Sequence, residues 1–355
     1  MRYRVSSNVQ RPMSNVPGLT SHVQRPTSNV IWVGFQRRLP AGFSLKARIL
    51  ALLLFLLLFQ SSCLDPRVSE SPRLRVETGQ PPARIISLAP SVTEILFELD
   101  LSDRVVGVTR FCDYPPEAVK KPRVGGYFDV NYEAILALEP DLVILLTEHE
   151  DAQDRLGSLG ISTLAVNHSR IDGILDSVTV IGQACGVREK GKSLRRSLES
   201  RILEVQERFA VHSSSCPLVP SRPRVLVAVG RSLQGGSEGE LFISGRDGFY
   251  DDLIRLAGGE NAYREETLKF PAVSAEGLAR LDPEIIIEMI PDLSPGKDRD
   301  RLLADWEDIP GLRAAREGRI HILGGDAVVV PGPRFVDLLE EMARIILLEE
   351  GGVSN

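Results

Sequence analysis

Hydrophobic and polar residues follow two different periods along the chain, and the change from one to the other predicts strands that alternate with helices. Short apolar runs bounded by turn residues predict four buried strands at Ile85–Leu88, Val105–Val108, Thr163–Val166 and Val225–Val229. Between them, apolar residues spaced three or four apart predict amphipathic helices such as Val92–Leu99 and Phe249–Leu256. This alternation favours an α/β architecture with mostly parallel sheets flanked by helices.

One helix–turn–strand unit occurs twice, at residues 127–144 and 270–287. In each copy an aromatic residue precedes a helix N-cap, a glutamate lies in the first helical turn, and an acidic–proline–acidic corner leads into an apolar strand. The corresponding pairs are Tyr127 and Phe270, Asn131 and Ser274, and Glu133 and Glu276. A period of this length predicts two related lobes with a cleft between them, because solenoid repeats recur every ~20 to 50 residues.

A long helix is predicted from Val187 to about His212, where apolar residues fall at helical spacing and no proline interrupts them. A segment of that length is long enough to join two lobes as a rigid connection. The predicted organisation is an N-terminal extension with an export signal (1–62), a tether (63–83), an N-terminal α/β lobe (84–186), the connecting helix (187–212) and a C-terminal α/β lobe (213–355). The α-helix at Ser91 is expected to begin with a capping box completed by Glu94.

Charge is distributed unevenly along the chain. Residues 1–62 contain eight basic and no acidic residues, which leaves 34 basic against 48 acidic residues, a net charge of −14, from Cys63 onward. An acidic protein of this kind is not expected to bind nucleic acid, whose phosphates require a basic face. The partner it meets is expected to be positively charged.

The segment before Cys63 has the features of an export signal. Basic residues precede an eleven-residue apolar run, Ile49–Phe59, which is shorter than the ~20 residues of a spanning helix. Small residues before Cys63 predict lipoprotein-type cleavage and lipidation of that cysteine, which would place the protein in the periplasm or at the cell surface. Gln60 departs from the usual aliphatic residue, so cleavage by an ordinary signal peptidase is the alternative.

Cysteines and histidines give no enzymatic signature. The remaining cysteines, Cys112, Cys185 and Cys216, have no metal-ligand spacing; two of them could form a disulfide, or all could be small buried thiols. No GxSxG, HExxH or Walker motif occurs, and His149 and His168 follow strand ends without a second histidine at ligand spacing. The residues therefore favour no enzyme class that these motifs mark, and we expect no metal site and no resident cofactor.

Several segments together resemble one known family. The residues that carry the resemblance are Arg84–Glu94, Val106–Val108, Cys112–Ala118 with its Asp113-Tyr-Pro-Pro116 sequence, and Asn131–Val143. They are similar to the substrate-binding proteins of bacterial ABC importers for vitamin B12, ferric siderophores and haem, and the Asp-Tyr-Pro-Pro sequence most resembles the cobalamin-binding branch. The resemblance implies two α/β lobes joined by a single backbone helix, the class III periplasmic-binding-protein arrangement, and a monomer.

The resemblance also implies roles for individual residues. Glu133 and Glu276 would each pair with arginines on one half of a dimeric permease that works with its ATPase subunits. By position, aromatic residues would line the ligand cleft at Phe111, Tyr127, Phe242 and Phe270. Core packing is the alternative interpretation for these four residues. In cobalamin binders the loop after the last strand often carries a Trp or an Arg. In this chain that loop is Asp326–Arg334, which departs from the pattern, because its one arginine, Arg334, could instead only cap the final helix.

The predicted function is capture of a corrinoid such as cobalamin between two lobes, with delivery to the permease. The alternative within the same class is a haem or ferric-siderophore binder, in which His149, His168 or a tyrosine would approach the iron. A stiff connecting helix predicts small lobe movement when ligand binds.

Overall fold

The computed structural model describes residues 80–215, 222–231, 241–265, 268–293 and 297–351. The export signal, Cys63 and Cys216 lie outside these ranges. Among the helices in these ranges, none combines the length and the apolarity that crossing a membrane requires. The fold is therefore established for the chain from Gln80 onward, apart from the gaps.

The N-terminal lobe contains a four-stranded, fully parallel sheet in the order β2-β1-β3-β4. Its strands are β1 (Ile85–Ser87), β2 (Val105–Val108), β3 (Leu142–Leu146) and β4 (Thr163–Val166). Its helices are α1 (Pro90–Glu98), α2 (Tyr132–Ala137), α3 (Glu150–Ser158) and α4 (Ile171–Ala184). All residues of β3 are buried, as expected for a central strand covered on both faces. The chain moves to one side of β1 and then to the other, which creates a topological switch point between β1 and β3.

Helix α5 (Arg188–Ser215) leads from this lobe to the next and contains 28 residues. At a rise of 1.5 Å per residue it is ~40 Å long. It packs against α4 at two glycines: a Cβ on Gly191 would lie 2.9 Å from the carbonyl oxygen of Val178 and 3.3 Å from the Cα of Gly182. The two helices approach to backbone contact, and only glycine fits there.

The C-terminal lobe contains a six-stranded sheet in the order β10-β9-β5-β6-β8, with β7 also paired to β5. Its strands are β5 (Arg224–Arg231), β6 (Leu241–Ile243), β7 (Glu260–Asn261), β8 (Ala272–Val273), β9 (Ile285–Ile290) and β10 (Ile320–Gly324). Its helices are α6 (Phe249–Leu256), α7 (Ala275–Leu281), α8 (Lys297–Glu307), α9 (Arg313–Arg316) and α10 (Phe335–Gly351). The pairings of β5 with β7 and β9, and of β9 with β10, are parallel, whereas β6 and β8 are antiparallel additions.

One hydrophobic core extends through both lobes. It includes Ile144 of the first sheet, Leu198 and Val205 of the connecting helix, Val227 of the second sheet and Phe335 of α10. Helix α5 contacts α4, α6 and α10, so helices of both lobes meet along it. The predicted two-lobed α/β fold with one long connecting helix is confirmed, and the lobes share buried apolar surface as well as a covalent link.

The repeated unit predicted from the sequence is present in both lobes. The side chains of Asn131 and Ser274 each accept a hydrogen bond from the backbone N–H three residues later, as N-caps do. At the end of each helix an acidic residue adopts a left-handed conformation with φ of 43°, Glu139 in one copy and Asp282 in the other. The internal repeat is therefore a structural duplication that extends to backbone torsion angles.

One local expectation turns out differently. Helix α1 begins at Pro90, and Ser91 is not its N-cap. Proline at the first helical position has the φ that the helix needs, and the N–H that it lacks would have had no intrahelical acceptor. The predicted capping box is thus wrong, and Glu94 is free to pair elsewhere. Of the two alternatives left open for the cysteines, buried thiols are observed for Cys112 and Cys185, which no disulfide joins.

Candidate functional site

The candidate ligand site lies at the carboxyl ends of the parallel strands in both lobes, where the loops carry functional side chains. In the N-terminal lobe Phe111 follows β2, and Glu148 and His149 follow β3 next to the switch point. In the C-terminal lobe Asp326 follows β10. Ligands of open α/β sheets bind at such strand ends, so these loops are the first place to look for a binding surface.

An aromatic cluster, formed by Tyr127, Phe128 and His149, occupies this edge of the N-terminal lobe. The Tyr127 ring lies 4.8 Å from the Phe128 ring and 4.4 Å from the His149 ring, both in edge-to-face geometry. Phe128 is 81% exposed, although burial of a phenyl ring is energetically favourable. The cluster therefore offers an apolar face that is ready to be covered.

Hydrogen bonds hold this aromatic cluster in place. The Tyr127 hydroxyl donates to Oε1 of Glu148 at 2.6 Å. Burial, together with that hydrogen bond and the charge of Glu148, raises the pKa of Tyr127, which therefore stays a neutral phenol. Burial lowers the pKa of His149, whose Nε2 has no hydrogen-bond partner among the described residues.

Phe111 stands beside a charged pair. It is 53% exposed, and the Arg110 guanidinium lies 5.3 Å from the centre of its ring. Nη2 of Arg110 lies 2.6 Å from Oδ2 of Asp129, and this arginine lowers the pKa of the Asp129 carboxyl. Asp129 adjoins Phe128, so the pair links the Phe111 loop to the aromatic cluster.

Two further aromatic residues lie in the C-terminal lobe. Phe242 is in β6, where it pairs with Ala272 of β8, and Phe270 comes just before that strand. They are 40% and 52% exposed, which does not fit core packing. The Phe270 ring lies 6.4 Å from the ring of Tyr250, whose hydroxyl donates to the carbonyl oxygen of Val328 at 2.8 Å. Phe270 is thus held close to the Asp326–Val328 turn that follows β10.

Arg334 connects the two lobes. Its Nε donates to Oε1 of Glu94 in the N-terminal lobe at 3.1 Å, and its Nη2 lies 2.7 Å from Oδ2 of Asp326 in its own lobe. The same guanidinium lies 3.7 Å from the ring centre of Tyr114. Burial raises the pKa of Glu94 to about 7, although Arg334 opposes the shift. Arg334 is therefore a link between lobes and not merely a residue preceding the final helix.

His168 is a structural residue. It is buried, with Nδ1 at 2.8 Å from the Ser91 hydroxyl and Nε2 at 2.8 Å from the Ser177 hydroxyl. Burial lowers its pKa to about 3, so the imidazole is neutral. With both ring nitrogens engaged, His168 has no lone pair to offer an iron atom.

Glu133 and Glu276 occupy equivalent places on the two lobes. Each is exposed and lies in the first turn of its helix, α2 or α7, two residues after the N-cap, Asn131 or Ser274. Within the described ranges, neither carboxylate forms a hydrogen bond or an ion pair. Both are available to a cationic partner, and their docking role remains a prediction.

These groups together form a surface that can bind a ligand. In the part of the chain that the structure describes, no group of three or more His, Cys, Asp and Glu side chains could hold a metal ion. What the strand ends present is exposed aromatic surface bordered by charged groups that are already paired. Such a surface suits a large, flat and mostly apolar ligand.

Sequence reasoning identified some of these residues and missed others. Tyr127 and Phe111 lie at the carboxyl ends of the strands in the N-terminal lobe. Phe242 and Phe270 lie near each other in the C-terminal lobe because β6 pairs with β8. Tyr114, Phe128 and Glu148 were missed. Tyr114 could have been found inside the Asp113–Pro116 sequence, and Glu148 by its position directly after a buried strand. The contact of Arg334 with Glu94, 240 positions apart, has no local signal.

Comparison with known proteins gives one family. A family described as periplasmic binding protein matches residues 85–327. An uncharacterised ABC transporter substrate-binding lipoprotein of Bacillus subtilis is 28% identical over 289 residues, 79% of this chain and 84% of that protein. A vitamin B12-binding protein of Vibrio cholerae is 25% identical over 272 residues, 76% of this chain and 91% of that protein.

Solved structures show the same fold. The periplasmic vitamin B12-binding protein of Vibrio cholerae superimposes with a TM-score of 0.64 at 23% identity, covering 76% of this chain and 98% of that one. A periplasmic haem-binding protein from Pseudomonas aeruginosa gives a TM-score of 0.64 at 24% identity, covering 75% and 93%. At this level of identity the likeness establishes architecture, and both ligand classes occur within it.

Proposed function

Because the chain belongs to the periplasmic binding protein family, we propose that it is the extracytoplasmic substrate-binding protein of an ABC importer and that its ligand is a corrinoid such as cobalamin. The proposal places the ligand between the lobes, against Phe111 and Tyr127 on one side and Phe242 and Phe270 on the other. The observation that carries it is exposed aromatic surface at the sheet edges of both lobes.

The paired arginines around this surface favour a ligand with neutral polar side chains, whereas the exposed Lys269 beside Phe270 is a cation that an acidic ligand could use. Arginines near this surface already have carboxylate partners: Arg110 with Asp129, Arg231 with Glu288, and Arg334 with Glu94 and Asp326. A corrinoid presents amide groups, which need no free cation. Haem presents two carboxylates, whose burial is costly without a cationic partner.

Haem is the second candidate, because His149 has an unpartnered ring nitrogen, although this side chain is 4% exposed and its Nε2 would have to be uncovered before it could ligate iron. Its Nε2 has no hydrogen-bond partner among the described residues, and its ring contacts Tyr127. Tyr127 itself is a poor iron ligand in this arrangement, since a phenolate must form and both burial and Glu148 oppose ionisation. Ferric siderophores are the remaining member of the same class.

Two further elements complete the proposal. Export and lipidation at Cys63 would tether the protein beside its permease. The name of the similar Bacillus subtilis protein, a substrate-binding lipoprotein, supports this part of the proposal. Glu133 and Glu276 would dock on arginines of the two permease halves, because a carboxylate in a first helical turn is oriented by the helix dipole and can accept a bidentate arginine. The protein binds and delivers its ligand without chemical change.

The test is a set of titrations of the full-length protein with cyanocobalamin, haemin and a ferric catecholate, followed by calorimetry and absorbance. We expect heat and a saturable spectral change with cyanocobalamin, lost in a double variant Tyr127→Ala, Phe270→Ala. A shifted haem absorbance band with no cyanocobalamin signal would instead establish the second candidate. Tyr132→Ala is the matched control, because Tyr132 lies on α2 outside the aromatic cluster.

A further inference from the structure

The ion pair between Glu94 and Arg334 is more buried than the surface pairs of this protein. The Glu94 side chain is 2% exposed and that of Arg334 is 14% exposed, compared with 52% and 63% for Arg110 and Asp129. Two donors of Arg334 reach the same Glu94 oxygen, at 2.5 and 3.1 Å. Charge-assisted hydrogen bonds in such a dry place are strong and directional, so they resist relative movement of the groups they join.

The backbones of the two lobes also meet at this place. A Cβ on Gly332, in the segment that leads to α10, would lie 2.5 Å from Oε2 of Glu94 and 3.3 Å from the Cα of Ser91. Among the described residues, buried Oε2 has no hydrogen-bond partner and Arg334 alone compensates the charge of Glu94. Widening between the lobes at this place would break this pair.

The same arginine reaches an aromatic residue of the opposite lobe. Its guanidinium lies 3.7 Å from the ring centre of Tyr114, which is 37% exposed and lies three residues after Phe111. A planar guanidinium over a ring fixes the ring by stacking and by cation–π attraction. A cation of the C-terminal lobe therefore holds an aromatic side chain that belongs to the N-terminal lobe.

A second ion pair joins the lobes with the opposite polarity. Here the N-terminal lobe supplies the cation, Arg170, and the C-terminal lobe supplies the acid, Asp252, whose side chain is 5% exposed. Their closest atoms are 2.6 Å apart. Oδ2 of Asp252 also accepts a hydrogen bond of 3.1 Å from the backbone N–H of Ile171, the first residue of α4. An acid of one lobe thus caps a helix of the other.

We propose that Glu94 and Arg334 are positioning residues of the ligand site. Together with Arg170 and Asp252 they clasp the lobes at a fixed separation, and through Arg334 they hold Tyr114 against the cleft. The two pairs, which we call the interlobe clasps, act together because both resist the same movement of one lobe away from the other. The role of Tyr114 in the cleft rests on the proposed ligand-binding function, whereas the fixed separation does not.

The N–H of Ile171 reports on the clasps without any ligand. First-turn helix amides have no intrahelical acceptor and exchange readily with solvent, so the protection of this amide depends on Asp252 in the other lobe. Hydrogen exchange at Ile171 in the unliganded full-length protein therefore measures how often the lobes separate. In Arg334→Met, which breaks the distant clasp, we expect exchange at Ile171 to become about tenfold faster.

The matched control is Arg224→Met. Arg224 forms an ion pair with Asp282 within the C-terminal lobe, so its loss leaves the lobe separation unchanged. We expect Ile171 exchange within about twofold of the wild-type rate in this variant. Unchanged exchange in Arg334→Met, or an equal rise in both variants, would overturn the proposal. Arg334→Lys keeps the charge without the planar fork, and we expect an intermediate exchange rate that keeps the test informative if Arg334→Met folds poorly.

Tyr114→Ala separates the positioning role from the clasp itself. It removes the ring and leaves the Glu94–Arg334 pair in place, so we expect normal exchange at Ile171 and about tenfold weaker cyanocobalamin binding. Normal affinity in Tyr114→Ala would exclude the role of Arg334 in positioning Tyr114. If wild-type protein binds no cyanocobalamin, the proposed ligand is wrong while the exchange data still decide on the clasps.

Discussion

The hydroxyl of Tyr127 donates a 2.6 Å hydrogen bond to Glu148, the second residue beyond the end of strand β3. This contact fixes an aromatic ring at the switch point of the sheet and keeps its phenol protonated. A ring that is already held in place loses little entropy when a flat ligand covers it. Tyr127 is therefore the residue at which stacking and hydrogen bonding can be separated experimentally.

Replacing Tyr127 by phenylalanine removes the hydroxyl and keeps the ring, whereas alanine removes both. If stacking provides the affinity, we expect Tyr127→Phe to bind cyanocobalamin within about threefold of wild type and Tyr127→Ala to lose on the order of 1 kcal/mol or more, roughly tenfold in Kd. Calorimetric titration measures both. Equal losses in the two variants would show that the hydroxyl, and not the ring, is the important group.

Reversal of the two repeated glutamates tests docking. In Glu133→Arg, Glu276→Arg we expect ligand affinity to stay near wild type, while stimulation of the permease ATPase falls by about tenfold or more, because arginine then faces arginine across the interface. The assay uses the reconstituted importer with ligand-loaded protein. Glu204→Arg, Glu207→Arg, which reverses two exposed glutamates on the connecting helix, should retain stimulation.

Loss of stimulation only when both repeated glutamates are changed would indicate that either lobe can dock alone. Equal loss in the connecting-helix control would contradict the assignment of Glu133 and Glu276.

The pH dependence of stability should reveal two buried groups with opposite effects. Glu94 has its pKa raised to about 7 from 4.5, so its contribution is fully present below pH 4.5 and is lost as pH rises through 7. For His168 the pKa is lowered to about 3 from 6.5, so its contribution is present above pH 6.5 and is lost as pH falls. Between pH 6.5 and 4.5 the two slopes oppose each other.

In Glu94→Gln the opposing slope is absent. We expect the free energy of unfolding of this variant to fall by about 1.4 kcal/mol per pH unit below pH 6.5, whereas the wild-type value changes little down to about pH 4.5. The Glu94 contribution itself is on the order of 3 kcal/mol. Denaturant unfolding at pH 7.5, 6 and 5 measures the difference, and parallel profiles for the two proteins would refute the prediction.

Sequence patterns predicted the elements well and their distant contacts poorly. Helix α6 was predicted with the bounds that the structure shows, because its amphipathic pattern ends at Leu256 before two glycines. The duplicated unit was likewise visible, because cap residues and turn residues act locally. Both signals arise from interactions within a few residues of each other.

The clasp residues illustrate what local patterns leave out. Glu94 matched a capping box by spacing, but Pro90 already begins the helix and the carboxylate pairs with Arg334 in the other lobe. The aromatic cluster combines Tyr127 with His149, which are brought together by a loop and a strand end. Such contacts depend on how lobes and loops pack, so only the fold reveals them.

Close packing of the connecting helix gives a test of the fold itself. Leucine at Gly191 must push α5 away from α4, because even a Cβ there would lie 2.9 Å from the Val178 carbonyl oxygen. We expect Gly191→Leu to reduce the free energy of unfolding by about 1–3 kcal/mol or more, as overpacking does. Gly157→Ala in α3 is the control. A Cβ at that position would have no described atom within 4 Å, so we expect alanine there to leave the free energy of unfolding unchanged or to raise it.

The core that runs from Ile144 through the connecting helix to Phe335 has a consequence for the behaviour of the whole molecule on heating. Neither half can melt while the other stays intact, since each would leave its partner's apolar surface in water. Calorimetry should therefore record one cooperative endotherm rather than two. A ligand that contacts only a few side chains between the lobes would then raise the melting temperature of the entire described chain.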